Sequence, residues 1–184
     1  MEKFLLFIKY NIEINLLKGV GEYSKIKSSR TYVLFFTNGI EQRKVQVIHL
    51  MAWEAAYLDG IIDGEGTITL TRIHKNEHRR PCITIASTDK ELMIYTKSLT
   101  CGIISNKKNY NPEKHKNSFT LNIKKKEKVI DILTHVLPYL RVPSKRKRAF
   151  LIIEHYDKVT IRNGKYSKER LNQKLAFEKA FFEF

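Results

Sequence analysis

The 184-residue chain carries 34 lysines and arginines against 19 acids, a formal charge of +15. With 42% hydrophobic and 29% charged residues it reads as a soluble globular protein, one domain or one domain plus an appendage, and not as a fibrous, low-complexity or membrane-spanning chain. Its two cysteines are too few for a disulfide framework, and the excess of positive charge calls for a polyanionic partner, nucleic acid before an anionic membrane surface. The apolar run FLLFI at 4–8, cut by Lys9, is too short for a signal peptide or a membrane span.

Two regimes follow one another. Residues 1–50 form an N-terminal extension without a catalytic-looking cluster. In it, 3–18 are apolar with mixed periodicity, GVGEYSKIKSS at 19–29 reads as a loop, and TYVLFFTNGIEQRKVQVI at 31–48 reads as a β-hairpin turning at Asn38-Gly39. From residue 51 the pattern is regular. MAWEAAYLDGIID is helical, with Trp53, Tyr57 and Ile61 expected in the core, and Gly64 and Gly66 expected to stop the helix. TITLTRI at 67–73 and PCITIAS at 81–87 alternate as strands. Thr88 or Asp89 caps a helix to about Leu99, broken at Cys101-Gly102. GIISNKKN is a third strand, and SFTLNIKK at 118–124 a fourth with Phe119, Leu121 and Ile123 inward. Residues 126–137, 144–156 and roughly 166–183 complete the chain as helices. The order helix, two strands, helix, two strands, helices predicts an α+β domain over 51–184, an antiparallel sheet packed by helices on one face.

The opposite sheet face is predicted to be polar: Thr67, Thr69, Thr71, Thr84, Ser118, Thr120, Asn122 and Lys124, with Lys107 and Lys108 on the third strand. Such a face is often merely wet. In a chain this basic it can instead enter a DNA major groove and read base edges, joined by Lys75, Arg79, Arg80 and Lys147 as further DNA contacts. His74, His78, Cys82 and Cys101 are zinc-like in type, but their strand alternation and wide gap argue against a metal site.

The acids are harder to place. AYLDGIIDGEG at 56–66 gathers three of them in a chain where acids are scarce. Asp63 and Glu65 fall at the negative end of a helix, where a carboxylate costs about 0.3–1 kcal/mol. Stability does not account for them; a divalent cation would, by offsetting both the dipole and their mutual repulsion. Ala56, Gly60 and Gly64 recur every four residues, a spacing that lets two backbones approach closely.

YLDGIIDGEG resembles the defining motif of the LAGLIDADG homing endonucleases, with Leu58, Gly60, Ile61, Ile62, Asp63, Gly64, Glu65 and Gly66 matching in place and Asp59 standing where that motif has alanine. TDKEL at 88–92 and LPYLRVPSKRKRAFLIIE at 137–154 also look like stretches of that family, whereas residues 1–50 do not. The resemblance implies a site-specific endonuclease that makes a staggered double-strand break in a long, roughly palindromic DNA target. A single motif copy implies a homodimer whose motif helices cross along Ala56, Gly60 and Gly64, with Asp63 capping the contact. It further implies that Glu65, with the backbone of Gly64, binds Mg²⁺ at a scissile phosphate; Mn²⁺ would substitute and Ca²⁺ would support binding only. A central lysine is matched best by Lys145, with Lys147 or Arg141 as alternatives. Ser87 or Thr88 would order the attacking water, while the family's arginine has no clear counterpart. An intron RNA maturase or a non-cutting DNA-binding protein on the same scaffold is the alternative. An intracellular protein is expected, and the lysine-, asparagine- and isoleucine-rich composition hints at an organelle's AT-rich genome.

Overall fold

The computed structural model describes residues 20–25, 31–37, 42–48, 50–72, 74–75, 77–161 and 164–184. Its contacts divide it into two compact units, Met1–Val47 and Ile48–Phe184. Strands β1 (Val20–Lys25), β2 (Thr31–Thr37) and β3 (Gln42–Ile48) form a three-stranded sheet in chain order. The neighbouring β2 and β3 flank Asn38-Gly39 as a hairpin requires, although that turn, like the apolar stretch 3–18, lies outside the described residues. Residues 20–25, expected in a loop, are a strand antiparallel to β2, with a register irregularity between Val20 and Tyr23. VGEYSK has few strand formers of its own; the ladder offered by β2 supplies what its sequence lacks.

In the second unit α1 (Ala52–Glu65), β4 (Gly66–Thr71), β5 (Arg80–Ser87), α2 (Lys90–Thr100), β6 (Ile103–Asn106), β7 (Phe119–Ile123), α3 (Lys126–Val136), α4 (Pro143–Val159) and α5 (Lys168–Phe182) follow in order. The four strands form an antiparallel sheet in the order β4-β5-β7-β6. This is the expected α+β domain. Ile68, Leu70, Ile83, Ile85, Leu121 and Ile123 are all buried on one sheet face, in a single apolar cluster with residues of all five helices. Asp89 is the cap of α2, accepting the Leu92 amide at 2.9 Å, and Pro143 opens α4 where a missing N–H costs nothing. Helix α2 ends on Cys101 at φ 52°, not on its glycine neighbour. Gly102 is needed for a different reason: a Cβ there would stand 2.8 Å from Leu121 Cδ1. No helix among the described residues is long and apolar enough to cross a membrane.

One expectation about the core is overturned. Trp53 is 61% exposed and Tyr57 47%, and the buried face of α1 is Ala55, Leu58 and Ile62 together with Glu54 and Asp59. Apolar residues run nearly all round this helix, so period alone does not select the buried side.

Candidate nucleic-acid interface and its acidic centre

Helix α1 ends at Gly66, whose amide donates to the Ile62 carbonyl. A Cβ at Gly66 would meet Ile62 Cα at 2.6 Å, so only glycine allows the chain to leave the helix directly into β4. Gly64 does not stop the helix as expected. It lies in the last turn with nothing within 4 Å of a Cβ position.

The acids of this end have separate fates. Asp63 Oδ2 accepts the backbone amides of Arg141 at 2.7 Å and Val142 at 3.2 Å, in the turn that leads into α4. Lys145, in the first turn of α4, reaches back: its Nζ donates to the carbonyls of Ile62 at 2.8 Å and Asp63 at 2.7 Å. That places an ammonium on the negative end of α1, two residues before Glu65. Glu65 itself is exposed and makes no hydrogen bond or ion pair among the described residues. Asp59, one turn before Asp63, is buried, and its Oδ1 has no hydrogen-bond partner. Burial, and then the charge of Asp63, push its pKa up to about 6 against the opposing pull of Arg141.

On the next face of α1, Ala56 is half-buried and Gly60 and Gly64 are exposed. Among the described residues nothing lies within 4 Å of a Cβ at either glycine, so this small-residue strip is open there, with Trp53 and Tyr57 exposed on the same helix.

Register sorts the sheet. Thr67 pairs with Thr84, Thr84 with Asn122, and Asn122 with Ile103; Thr69 pairs with Cys82 and Thr71 with Arg80; Ala86 pairs with Thr120 and Thr120 with Ser105. Directly opposed residues share a face. Thr67, Thr69, Thr71, Arg80, Thr84, Thr120 and Asn122 therefore do lie together, away from the helices. Cys82, Ala86, Ile103 and Ser105 join them, unanticipated from the sequence. Their i, i+2 spacing from Thr84 and Lys107 was the available signal, masked because three of the four are apolar in type. Lys124, Lys107 and Lys108 are exposed, Lys108 over the Tyr110 ring at 5.0 Å, and Ser118 is half-buried, its carbonyl accepting the Lys107 amide at 2.9 Å. Thr120 is buried with Oγ1 unpaired.

Other candidates are engaged within the chain. Arg79, expected as a DNA contact, pairs with Glu178 of α5 at 3.4 Å and lies over the Phe182 ring at 4.7 Å; it secures the β4–β5 connection to the C-terminal helix. The Tyr156 hydroxyl donates to its carbonyl at 3.3 Å. Lys75 in the same connection is exposed, and exposed Arg80 pairs with Glu77 at 3.3 Å. Ser87 lies on the helix-covered face by register, and its hydroxyl accepts the Asp89 amide at 3.0 Å. Lys147 stands over the Phe184 ring at 4.6 Å. Among the described residues no group of three or more His, Cys, Asp or Glu is placed to hold a metal ion.

No protein-family model matches the sequence, and no curated protein matches it. Solved structures do match. The homing endonuclease I-CvuI in complex with its target in the presence of calcium superposes with a TM-score of 0.53 at 16% identity, over 72% of this chain and 82% of that one. The LAGLIDADG homing endonuclease I-GzeII in complex with its DNA target gives 0.51 at 16% identity, over 67% of this chain and 43% of that one. The LAGLIDADG meganuclease I-AabMI bound to uncleaved DNA gives 0.50 at 22% identity, over 70% and 44%. This chain thus spans less than half the length of the last two. At these identities the likeness is one of fold.

Proposed function

We propose that this chain, which has the fold of the LAGLIDADG homing endonucleases, is a homing endonuclease of that family, working as an intracellular homodimer on a long, roughly palindromic DNA site. The carrying observation is Glu65, an exposed carboxylate without a partner among the described residues, at the end of a motif helix next to a polar sheet face edged by exposed lysines. At a helix C-terminus the helix dipole opposes a carboxylate, so its own helix gives it no stabilising role. It has a chemical one.

Each chain contributes one carboxylate and the Gly64 backbone carbonyl, hard oxygen donors that suit Mg²⁺, an ion that keeps several waters and takes its remaining ligands from substrate phosphates. When bound, the ion supplies the positive charge that stabilises a phosphodiester under attack. The protein's own residues do the rest. Glu65 sits where β4 begins, so a duplex lying on the sheet is registered against it. Lys145 holds the last turn of α1 by its carbonyls and keeps positive charge beside the reacting phosphate. The open strip of Ala56, Gly60 and Gly64 is the surface on which a second chain brings its own Glu65, giving one cut per strand and a staggered break.

The test is incubation of the full chain with a randomised DNA duplex library and Mg²⁺, with Glu65→Gln as its pair. The parent should release staggered ends from a narrow set of sequences. The variant should bind the same sequences in Ca²⁺ and cut none, because glutamine keeps the size but not the charge. Equal cutting by both proteins would remove Glu65 from the chemistry. If neither cuts DNA and both bind a structured intron RNA tightly, the chain is a maturase.

A further inference from the structure

The middle row of the polar sheet face runs Thr67, Thr84, Asn122, Ile103. The Thr84 hydroxyl donates to Asn122 Oδ1 at 3.2 Å, and Cys82 Sγ lies 3.6 Å from the same hydroxyl. Held this way, the Asn122 amide turns its oxygen toward Thr84 inside the sheet and its Nδ2 donors toward a ligand. Ile103, directly opposite Asn122 on the edge strand β6, is 74% exposed, a large aliphatic side chain on a mostly polar, lysine-edged surface. Cross-strand partners stand about 5 Å apart at Cβ, so a hydrogen-bond donor and an apolar branch sit side by side.

We propose that Asn122 and Ile103 are a base-reading pair for thymine in the major groove, with Thr84 as the positioning residue that sets the polarity of the amide. Of the base edges exposed there, guanine offers two acceptors, adenine an acceptor and a donor, and cytosine a donor. Thymine alone offers an acceptor, O4, next to a methyl group. A donor beside an aliphatic side chain matches that edge and no other. The proposal rests on the reading of this sheet as a DNA-binding surface, and it adds which base this row selects.

The experiment selects duplexes bound by the full chain, in Ca²⁺, from a randomised pool. The parent should enrich thymine at one position in each half-site. Asn122→Ala should erase that preference and Ile103→Ala should weaken it by the methyl's share, each leaving other positions enriched. In the selected duplex, uracil at that position keeps O4 but lacks the methyl. It should weaken the parent about fourfold, the factor one buried methyl group is worth, and leave Ile103→Ala unaffected. 5-Methylcytosine paired with guanine keeps the methyl but turns the acceptor into a donor. It should weaken the parent about tenfold or more and be preferred by Asn122→Asp. Thr84→Val frees the amide to turn over and should broaden the preference to adenine, which a loss of folding would not do. Retention of the thymine preference by both alanine variants, or equal binding of uracil and thymine by the parent, overturns the pair while DNA binding stands. A pool in which no duplex is enriched overturns the DNA reading and the pair together.

Discussion

Asp63 and Lys145 exchange places between two helix ends. Asp63, at the C-terminus of α1, accepts the amides of Arg141 and Val142 before α4, and Lys145, at the N-terminus of α4, donates to the carbonyls that close α1. Each charge is on the wrong end of its own helix and the right end of its neighbour's. Asp63→Ala leaves two amides without their charged acceptor and should destabilise the protein by about 2–3 kcal/mol, Asp63→Asn by about half of that. The double variant with Lys145→Met should fall short of the summed single effects by more than about 0.5 kcal/mol in urea unfolding. Strict additivity would mean that the two contacts act independently.

Asp59 gives the acidic end a pH dependence. Its folded pKa of about 6 lies above the ordinary value of 3.8, raised by burial and by Asp63 on the same helix and lowered by Arg141. The folded state therefore binds the extra proton, so this residue's contribution to stability is greatest below about pH 4 and is lost as pH rises through 6. Asp59→Asn should flatten that part of the stability–pH curve and raise stability at pH 7 by roughly 2 kcal/mol. Urea midpoints at pH 4, 5, 6 and 7 measure it, and parallel curves for parent and variant would contradict the assignment.

Gly60 separates association from folding. Among the described residues nothing lies within 4 Å of a Cβ there, so Gly60→Leu should still fold as a single chain. In the proposed homodimer the same leucine has no room at a close crossing of two motif helices, and light scattering should show a dimeric parent and a monomeric variant. An intact dimer in the variant would move the crossing to another surface.

Lys174 is the second titrating group. Its side chain is fully buried, with Nζ on Thr160 Oγ1 at 2.8 Å and over the Tyr156 ring at 4.0 Å. Burial lowers its pKa from 10.5 to about 8, against the opposing charges of Glu178 and Asp157. The unfolded chain then binds more protons between pH 8 and 10.5, so stability should rise over that interval as the buried ammonium neutralises. Above pH 10 the rise is opposed by Tyr156, whose pKa burial pushes to about 12. Lys174→Met should remove the rise and be neutral or stabilising by about 1 kcal/mol at pH 7, since an apolar side chain avoids the cost of burying a charge. A variant strongly destabilised at pH 7 would show that the Thr160 and ring contacts outweigh that cost.

Much of the domain was written locally. Alternation in TITLTRI, PCITIAS and SFTLNIKK marks strands and also which side of each is polar, because a strand's side chains alternate whatever it pairs with. The motif at 58–66 is contiguous and readable without a fold. The buried side of α1 was not, because its apolar residues surround the axis and only the sheet beneath selects Leu58 and Ile62 over Trp53. Nor was β1, whose weak sequence becomes a strand through β2. The partners of the charged groups were out of reach for a related reason. Asp63 and Arg141, or Arg79 and Glu178, are joined across most of the domain. Periodicity reports which way a side chain points along its own element. Which group it meets there is decided when the elements pack, and that is where Arg79 became a structural tie and Glu65 was left without a partner among the described residues.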